Sequence, residues 1–386
     1  MTALAQVGCV RTKSTLAMVT KSKRLLSLDA LRGFDMLFIM GLAWVLIDLG
    51  KCLPDCGAVQ WLAAQMEHAE WDGFTHHDTI FPLFLFVAGI SFPFSLASQR
   101  EKGLSTGRIC GRIVRRAVVL ILLGVCYNGL FDFHFATLRW PSVLGRIGVA
   151  WMCAALLTVF FGCRTRCLIS AAILVGYSLL LLLPAPDIAA GVEVWSREGN
   201  IVGYIDRLTI PNHIYWRGVM DPEGVLSTLP AIVTAMMGIF AGEWVQQGSG
   251  SGGRKSGMMA VVAAVMLLVG VVWGWLQPVN KTLWTSAFVL CAGGYSLGLF
   301  ALFYYVVDVR GWRRWAGFLR VIGVNSITIY LAQRFVDFSA ISRLFLGGFA
   351  ELLPECWGRV VISVGYLVVS WLLLYALDRC KIYLKV

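Results

Sequence analysis

The stretch IFPLFLFVAGISFPFSLAS (residues 80–98) contains no charged residue over its whole length. An α-helix needs about 20 predominantly apolar residues to cross the hydrocarbon core of a bilayer, so this stretch predicts a transmembrane helix. The whole chain of 386 residues has the same character, with 58% hydrophobic and only 14% charged residues. A soluble domain carries about 25% charged residues. The sequence therefore predicts an all-α polytopic membrane protein, and it lacks the short alternating segments of a β-barrel.

Apolar runs of similar length recur along the chain, and we predict about ten transmembrane helices from them. Lysine and arginine indicate the orientation, because loops that stay in the cytoplasm carry an excess of both. With the N-terminus inside, the predicted cytoplasmic segments contain 23 of the 33 Lys and Arg residues. Both termini are then cytoplasmic, which requires an even number of spans. The predicted spans are residues 33–50, 80–98, 113–131, 143–162, 167–184, 225–245, 257–275, 283–306, 317–335 and 359–378.

The same pattern predicts the domain organisation. Residues 1–28 form a basic cytoplasmic tail, because they lack the long apolar region of a signal peptide. Residues 29–386 form a single transmembrane domain, which the Gly- and Ser-rich linker at 246–256 could divide into two five-helix halves. The net charge of +11 does not indicate nucleic-acid binding, because the basic residues lie in short loops and form no face interleaved with aromatics.

A polar stretch, QMEHAEWDGFTHHDTIFP (residues 65–82), precedes the second apolar run and holds three of the five histidines. Within it, Asp78 follows His68 by ten residues and stands at the start of the predicted span. A carboxylate in this position can accept a hydrogen bond from the imidazole, fix its tautomer and raise its basicity. His68 and Asp78 are therefore the candidate catalytic residues, with His68 as a base or as an acyl carrier.

A metal site is the alternative interpretation of this stretch. His68, His76, His77 and Asp78 are suitable ligand types, but their spacing matches no standard zinc pattern. The adjacent His76 and His77 also point in different directions on most backbones. We therefore predict no metal, and we expect His76 and His77 to lie at the wet membrane interface.

Charged and amide side chains inside the predicted spans are candidates for ligand binding, because such groups are costly in a bilayer. Arg32, Arg115 and Arg116 lie toward the inner side, where the planar fork of arginine suits a phosphate. Plain positive-inside anchoring would explain Arg115 or Arg116 nearly as well. Arg146 needs a buried acid or an anionic ligand as its partner. Asn325 belongs to a polar stripe that suits either a ligand or hydrogen bonding between helices.

Two outer loops hold candidate substrate-binding residues. Asn280 and Lys281 occupy a tight turn, QPVNKTLW, before the eighth predicted span. Asp221 and Glu223 lie in MDPEGVLSTLP at the entry to the sixth. Capping of that helix is the competing role for Asp221.

Several ordered motifs together resemble one known family, the heparan-α-glucosaminide N-acetyltransferases, whose bacterial branch belongs to a wider group of transmembrane acyltransferases. The resemblance runs from about Ser27 to the C-terminus. Each motif alone is weak, and their order and spacing make the resemblance specific. The motifs are SLDALRG, EHAEWDGFTHHDTIFPLFLFVAGIS, the arginine pair before the third span, LGRIGVAW, GYIDRL, DPEGVLSTLPAI, PVNKTLW and GVNSITIYL.

The resemblance implies an enzyme that takes an acetyl group from cytosolic acetyl-CoA and moves it to an amino sugar across the membrane. The family's catalytic histidine lies in an H-x-x-W-x-G motif, which matches His68, and its acidic residue matches Asp78. An asparagine before the histidine assists catalysis in the family, and residues 51–67 contain none. The animal members carry an additional lumenal domain and a leading span, so we expect this shorter form to belong to a bacterial inner (plasma) membrane.

We therefore expect a transmembrane acetyltransferase that acts on an amino or hydroxyl group of an extracytoplasmic sugar or glycan. Its cosubstrate would be acetyl-CoA, with the nucleotide near Arg32, Arg115 and Arg116 and the thioester passing Arg146 and Asn325. A homodimer is expected only by analogy with the family. A transporter of a small anion or a sugar, using the same arginines and asparagine, is the alternative.

Overall fold

The computed structural model describes residues 25–189, 191–216 and 218–384. Within these ranges the chain forms helices and connecting loops and contains no β-strand. The predicted all-α fold class is therefore confirmed. Most of the predicted basic tail, residues 1–24, lies outside the described residues.

The described residues form helices that we number α1 to α15 in chain order. A π-helical turn joins α1 to α2, and a second one extends α11. The helices are α1 Leu26–Leu37, α2 Ala43–Cys52, α3 Gly57–Ala64, α4 His76–Glu101, α5 Thr106–Tyr127, α6 Val143–Phe160, α7 Cys163–Leu180, α8 Ile201–Thr209, α9 Thr228–Gln247, α10 Gly252–Trp273, α11 Ser286–Phe303, α12 Ala316–Val324, α13 Ser326–Phe335, α14 Phe338–Glu351 and α15 Glu355–Arg379.

Eight helices of the described chain are long and apolar enough to cross a membrane, counting α1 with α2 and α11 with its π-helical turn as one each. The predicted spans at 113–131 and 317–335 fall on α5 and on the α12–α13 pair. The pair is interrupted at Asn325, so neither helix alone has the length of a span. Helix α5 is long enough to cross a membrane, but its first half carries four arginines, namely Arg108, Arg112, Arg115 and Arg116.

The turn between α1 and α2, Phe38–Leu42, has a local structural cause. Gly41 has a φ of 136°, which a residue with a side chain rarely adopts, and the ring of Tyr366 packs against it. A π-helical turn interrupts the regular hydrogen bonding of a helix. Gln333 compensates by donating from Nε2 to the carbonyl oxygen of Ile39 at 3.1 Å and to the Tyr366 hydroxyl at 2.8 Å. This arrangement joins the π-helical turn to α13 and α15.

Loops that are distant in sequence meet at each end of the helices. At one end, the backbone N–H of Ser27 donates to Asp308 at 3.2 Å, joining the start of α1 to the end of the α11 segment. At the other end, the Tyr177 hydroxyl donates to the Leu283 carbonyl at 2.6 Å, joining the end of α7 to the start of α11. The loops at 65–75 and 274–285 meet at this second end, where the candidate site is built.

Candidate active site

His68 and Asp78 form a directly hydrogen-bonded pair. The distance from Nδ1 of His68 to Oδ1 of Asp78 is 2.7 Å. The Asp78 side chain is only 3% exposed, whereas that of His68 is 56% exposed. The second carboxylate oxygen accepts hydrogen bonds from the backbone N–H of Ala69 at 3.1 Å and from the Thr75 hydroxyl at 3.0 Å. Asp78 is therefore held by its surroundings and can orient the more exposed imidazole.

The pairing determines which imidazole nitrogen is available for chemistry. An ionised carboxylate only accepts hydrogen bonds, so Nδ1 of His68 must carry the hydrogen that Asp78 accepts. The lone pair of a neutral imidazole then lies on Nε2, on the side away from Asp78. Asp78 itself lies in the first turn of α4, where the positive end of the helix dipole favours a negative charge. His68 is thus arranged as a proton acceptor or as a nucleophile at Nε2.

Lys281 is the third member of this cluster. Its Nζ lies 3.5 Å from Oδ1 of Asp78 and 3.2 Å from Nδ1 of His68. Because Nδ1 already donates to Asp78, the favourable contact of the ammonium is with the carboxylate. Burial lowers the pKa of Lys281, and the negative charges of Asp78 and Glu223 oppose this shift.

Hydrogen bonds between two loops place Lys281 beside the pair. The side chain of Asn280 donates to the Trp71 carbonyl at 2.8 Å and accepts from the backbone N–H of Leu283 at 2.8 Å. The N–H of Gly73 donates to the carbonyl of Val279 at 3.0 Å. Asn280, which the sequence indicated as a substrate contact, is buried here and holds the two loops together.

An internal cavity of about 410 Å³ connects this cluster with arginines farther along the helices. His68 and Lys281 line it together with Arg32 and Arg116. Its volume falls within the range of about 300–1,000 Å³ that is common for small-molecule sites. Arg115, by contrast, is exposed and does not contribute to the cavity lining.

The arginine end of the cavity lies well away from the histidine. Arg32 donates to the Ser91 hydroxyl and lies 3.6 Å from the carboxylate of Asp29. Ser91 follows Asp78 by thirteen residues on α4, which corresponds to about 20 Å along the helix axis. The guanidinium of Arg116 lies over the Trp151 ring, 4.3 Å from its centre. The cavity therefore has cationic groups at positions that are separated along the direction of the bundle.

Arg146 and Asn325 do not line the cavity. Arg146 is buried and donates to the Ser227 hydroxyl and to the Gly224 carbonyl, the latter at 3.4 Å. Asn325 is also buried, and its Nδ2 donates to the Val321 carbonyl at 3.3 Å. Residues adjacent to each of them in sequence line the cavity. Both side chains are therefore placed to support the wall.

Asp221 and Glu223 lie in a clamp formed by Arg139. The guanidinium donates to both oxygens of Asp221, from Nε at 2.8 Å and from Nη2 at 2.6 Å, and also to Glu223. Asp221 is fully buried and accepts a further hydrogen bond from the backbone N–H of Tyr215 at 2.7 Å. Burial opposes ionisation of Arg139, but the two carboxylates raise its pKa above the ordinary value. These acids hold together the loop between α7 and α9.

A second buried acid, Asp206, supports the same loop. It accepts backbone hydrogen bonds from Asp221 at 3.1 Å and from Val225 at 2.9 Å. Burial raises the pKa of Asp206 to about 6, although the two N–H donors favour the ionised form. Asp206 belongs to the sequence motif GYIDRL. The backbone groups that it binds, those of Asp221 and Val225, come 15 and 19 residues later in the chain, so the motif alone does not indicate its role.

His76 and His77 are half-buried in the first turn of α4, and their expected position at the membrane interface stays a prediction. Nδ1 of His76 lies 2.7 Å from the Tyr295 hydroxyl on α11. His77 lines the cavity, and its ring centre lies 4.5 Å from that of His68. Helical spacing could have indicated this position, because His77, Phe81 and Phe84 recur at three- and four-residue intervals and all line the cavity.

The fold and the site together define a class of protein. Over the described residues it is a helical membrane protein, in which a histidine held by a buried carboxylate lines a cavity together with two arginines.

Comparisons with known proteins narrow this class. The heparan-alpha-glucosaminide N-acetyltransferase of Mus musculus is 26% identical over 373 residues, covering 82% of this chain and 54% of the relative. The protein of the same name from Homo sapiens is 27% identical over 367 residues, covering 80% and 52%. The chain thus spans about half the length of the curated relatives it matches. No family model matches the chain.

The chain is related at the family level to the heparan-alpha-glucosaminide N-acetyltransferases. The resemblance predicted from the sequence motifs is therefore confirmed.

Proposed function

We propose that the chain is a transmembrane acetyltransferase that moves an acetyl group from cytosolic acetyl-CoA to an amino or hydroxyl group of an extracytoplasmic sugar or glycan. The observation that carries this proposal is the single cavity lined by His68 and Lys281 as well as by Arg32 and Arg116. It combines a group that can accept a proton with cations that suit a phosphate-bearing donor. The names of the two relatives support acyl transfer to an amino sugar.

The donor would occupy the cavity with its phosphates toward the arginines. Arg32 and Arg116 supply the cationic lining, and the exposed Arg115 lies next to Arg116 in sequence on α5. The acetyl thioester would then extend along the cavity toward His68. In this proposal Arg146 and Asn325 hold the cavity wall, and Asn280, Asp221 and Glu223 hold the outer loops around it. Acetyl-CoA is a cosubstrate, and the proposed reaction uses no metal.

The chemistry assigned to the pair balances without a further reactant. Nε2 of His68 accepts a proton from the acceptor amine, whose nitrogen forms a bond to the thioester carbonyl carbon. The carbon–sulfur bond then breaks, and the departing thiolate takes the proton from Nε2 to leave as the CoA thiol. Asp78 keeps the imidazole in the productive tautomer and stabilises the transient imidazolium. If Nε2 instead attacks the carbonyl carbon, the carbon–sulfur bond breaks and CoA departs as the thiolate while Nε2 carries the acetyl group. The acceptor amine then attacks the acetyl carbon, the bond to Nε2 breaks, and the proton lost by the amine goes to the thiolate to give the CoA thiol.

The proposed topology has ten spans with both termini in the cytoplasm. It adds α5 and the α12–α13 pair to the eight helices that meet the length and composition of a span. The single transmembrane domain from residue 29 onward, and a location in a bacterial inner membrane, complete the proposal. The outer end of the bundle is then the one that carries His68, Lys281 and the loop at 181–227.

The direct test uses the full chain purified in detergent with labelled acetyl-CoA and a panel of amino sugars. We expect labelled N-acetyl product with at least one of them. The transporter alternative predicts no product at any acceptor, together with uptake of a small anion or sugar that persists in His68→Ala. That combination would reject the enzymatic proposal.

A binding measurement tests the donor site separately from turnover. Arg116→Gln is expected to weaken CoA binding about tenfold or more, since a charge-assisted hydrogen bond contributes about 1.5–3 kcal/mol. The matched control is Arg112→Gln, because Arg112 lies one helical turn away on α5 but is exposed and absent from the cavity lining. Equal affinities in the two variants would argue against a donor in this cavity.

A further inference from the structure

A second depression, of about 720 Å³, lies on the same end of the bundle as His68 and is separate from the internal cavity. It is an open groove between the loop after His68, the loop after α7 and the turn after α10. Three tryptophans, Trp71, Trp195 and Trp275, contribute to its lining. No step of the proposed reaction uses these residues.

The tryptophans present broad apolar surfaces in a polar loop region. Trp275 is 81% exposed, which is unusual for the largest apolar side chain. Trp71 is fixed in place, because its Nε1 donates to the Trp195 carbonyl at 2.6 Å. The guanidinium of Arg197 lies 5.4 Å from the centre of the Trp71 ring and donates to the Glu70 carbonyl at 3.2 Å. Flat aromatic faces of this kind suit the C–H faces of sugar rings, because the face of an aromatic ring carries partial negative charge.

The balance of charge in the groove is negative, whereas that in the cavity is positive. The groove is lined by three carboxylates, Glu70, Asp72 and Glu193, and by one guanidinium, that of Arg197. The cavity, in contrast, is lined by two arginines and Lys281. Electrostatic attraction therefore favours an anionic molecule in the cavity and a cationic molecule in the groove. A sulfated or carboxylate-rich glycan would be repelled from the groove.

The groove also lies close enough to His68 to receive the same substrate. Trp71 follows His68 by three residues, and Pro278 precedes Lys281 by three, so each pair is at most about 11 Å apart along the chain. The N–H of Val279 donates to the Asp72 carboxylate at 2.8 Å, which joins the two loops. A glycan with its reacting unit at His68 could therefore extend directly into the groove.

We propose that this groove binds the sugar units next to the reacting one, in a glycan that carries free, protonated amino groups and no sulfate. This inference rests on the acetyltransferase function proposed above and specifies its acceptor as a cationic amino-sugar oligomer. The tryptophans would contact the sugar faces, and the carboxylates would attract the ammonium groups.

The test compares kcat/KM for three acceptors with the full chain: glucosamine, a glucosamine tetramer, and an N-desulfated heparin tetrasaccharide that retains its other sulfates. We expect the tetramer to be the best acceptor. Trp275→Ala should lower kcat/KM for the tetramer about tenfold, the effect of truncating a tryptophan at the centre of a binding surface, and leave the value for glucosamine unchanged. Trp61→Ala is the control, because Trp61 is 63% exposed on α3 and does not line the groove.

A second pair of variants tests the charge argument. Glu193→Gln should raise KM for the glucosamine tetramer, with a smaller effect at high salt, and should not impair the sulfated tetrasaccharide. Glu198→Gln serves as the matched control, since Glu198 is exposed in the same loop but outside the groove. A sulfated acceptor that outperforms the tetramer would overturn the proposed substrate class.

The outcomes separate this inference from the function on which it rests. If glucosamine is acetylated but the tetramer is no better, and Trp275→Ala changes nothing, the groove inference is wrong and the enzyme remains. If no acceptor is acetylated, the acetyltransferase proposal fails first. Calorimetric titration of the His68→Ala protein with the glucosamine tetramer then tests the groove alone. Binding heat that disappears in a His68→Ala/Trp275→Ala double variant supports the groove inference. The absence of binding heat in the His68→Ala protein refutes the groove inference.

Discussion

At the scale of single residues, the His68–Asp78 pair was predictable because both members lie in one short stretch. A spacing of ten residues across a loop and the first turn of α4 allows direct contact, and the structure has it at 2.7 Å. Lys281 could not be assigned to the same cluster from local sequence, since it lies 213 residues from His68. It reaches the pair only because Asn280 and Val279 bind the loop at 71–73. Contacts made between distant loops leave no periodic signal in the sequence.

His68 is the residue whose loss should affect turnover most. His68→Ala should lower kcat/KM by about 10²–10⁴, the usual contribution of a general base, with the protein still folded because the side chain is exposed. Steady-state acetyl transfer to glucosamine measures the effect. The control is His213→Ala, because His213 lies in the loop between α8 and α9, stacks on Trp140 and does not line the cavity. Equal activity in the two variants would exclude His68 as the reacting group.

Lys281 should determine the alkaline side of the pH profile. Burial lowers its pKa from the ordinary value of 10.5, so the cation is lost as the pH rises through a value below 10.5. We therefore expect kcat/KM to fall on the alkaline side below pH 10.5. In Lys281→Arg the fall should move to higher pH, since a guanidinium remains charged. If the fall in kcat/KM occurs at the same pH in Lys281→Arg, a group other than Lys281 causes the fall.

At the scale of the elements, the loop between α7 and α9 depends on buried acids for which the sequence suggested only substrate contacts or helix caps. The pairing of Asp221 with Arg139 joins positions 82 residues apart, and no sequence pattern specifies it. The consequence is a loop held by charge-assisted hydrogen bonds rather than by apolar packing alone. Its stability should therefore be sensitive to removal of one charge.

Removal of the Arg139 guanidinium leaves the fully buried Asp221 carboxylate with backbone donors alone. Arg139→Met should lower the free energy of unfolding by about 2–3 kcal/mol, somewhat less than for a completely buried pair because Arg139 is partly exposed. Thermal unfolding in detergent measures the change. Arg334→Met is the control, since its pair with Asp132 at 3.4 Å is largely exposed and should contribute about 0–1 kcal/mol. A control variant that is destabilised equally would contradict the special role of the clamp.

At the scale of the whole molecule, composition and apolar runs were sufficient to predict an all-helical membrane protein, because a bilayer restricts spanning segments to a narrow range of length and polarity. The π-helical turn at Phe38–Leu42 and the break at Asn325 were not predictable. They depend on tertiary partners, such as the hydrogen bond from Gln333 to Ile39. The internal cavity was likewise anticipated only as a set of polar residues, of which Arg32 and Arg116 line it and Arg146 and Asn325 do not.

Three exposed cysteines can test the ten-span topology. Cys56 precedes α4, Cys163 is the first residue of α7, and Cys380 follows α15. In single-cysteine variants in intact cells, a membrane-impermeant maleimide should label Cys56 and leave Cys163 and Cys380 unlabelled. Labelling of Cys163 would show that α5 does not cross the membrane. Labelling of Cys380 without labelling of Cys163 would show that the α12–α13 pair does not cross the membrane.

The central claim is that one cavity carries acetyl groups from a cytoplasmic donor to an outer acceptor. Inverted membrane vesicles test it most directly, with labelled acetyl-CoA added outside, at the cytoplasmic face, and glucosamine enclosed within. We predict that labelled N-acetylglucosamine accumulates inside the vesicles, that CoA stays outside, and that His68→Ala abolishes the accumulation. Label that enters only as intact acetyl-CoA, or product that forms only when donor and acceptor share one side, would contradict the claim.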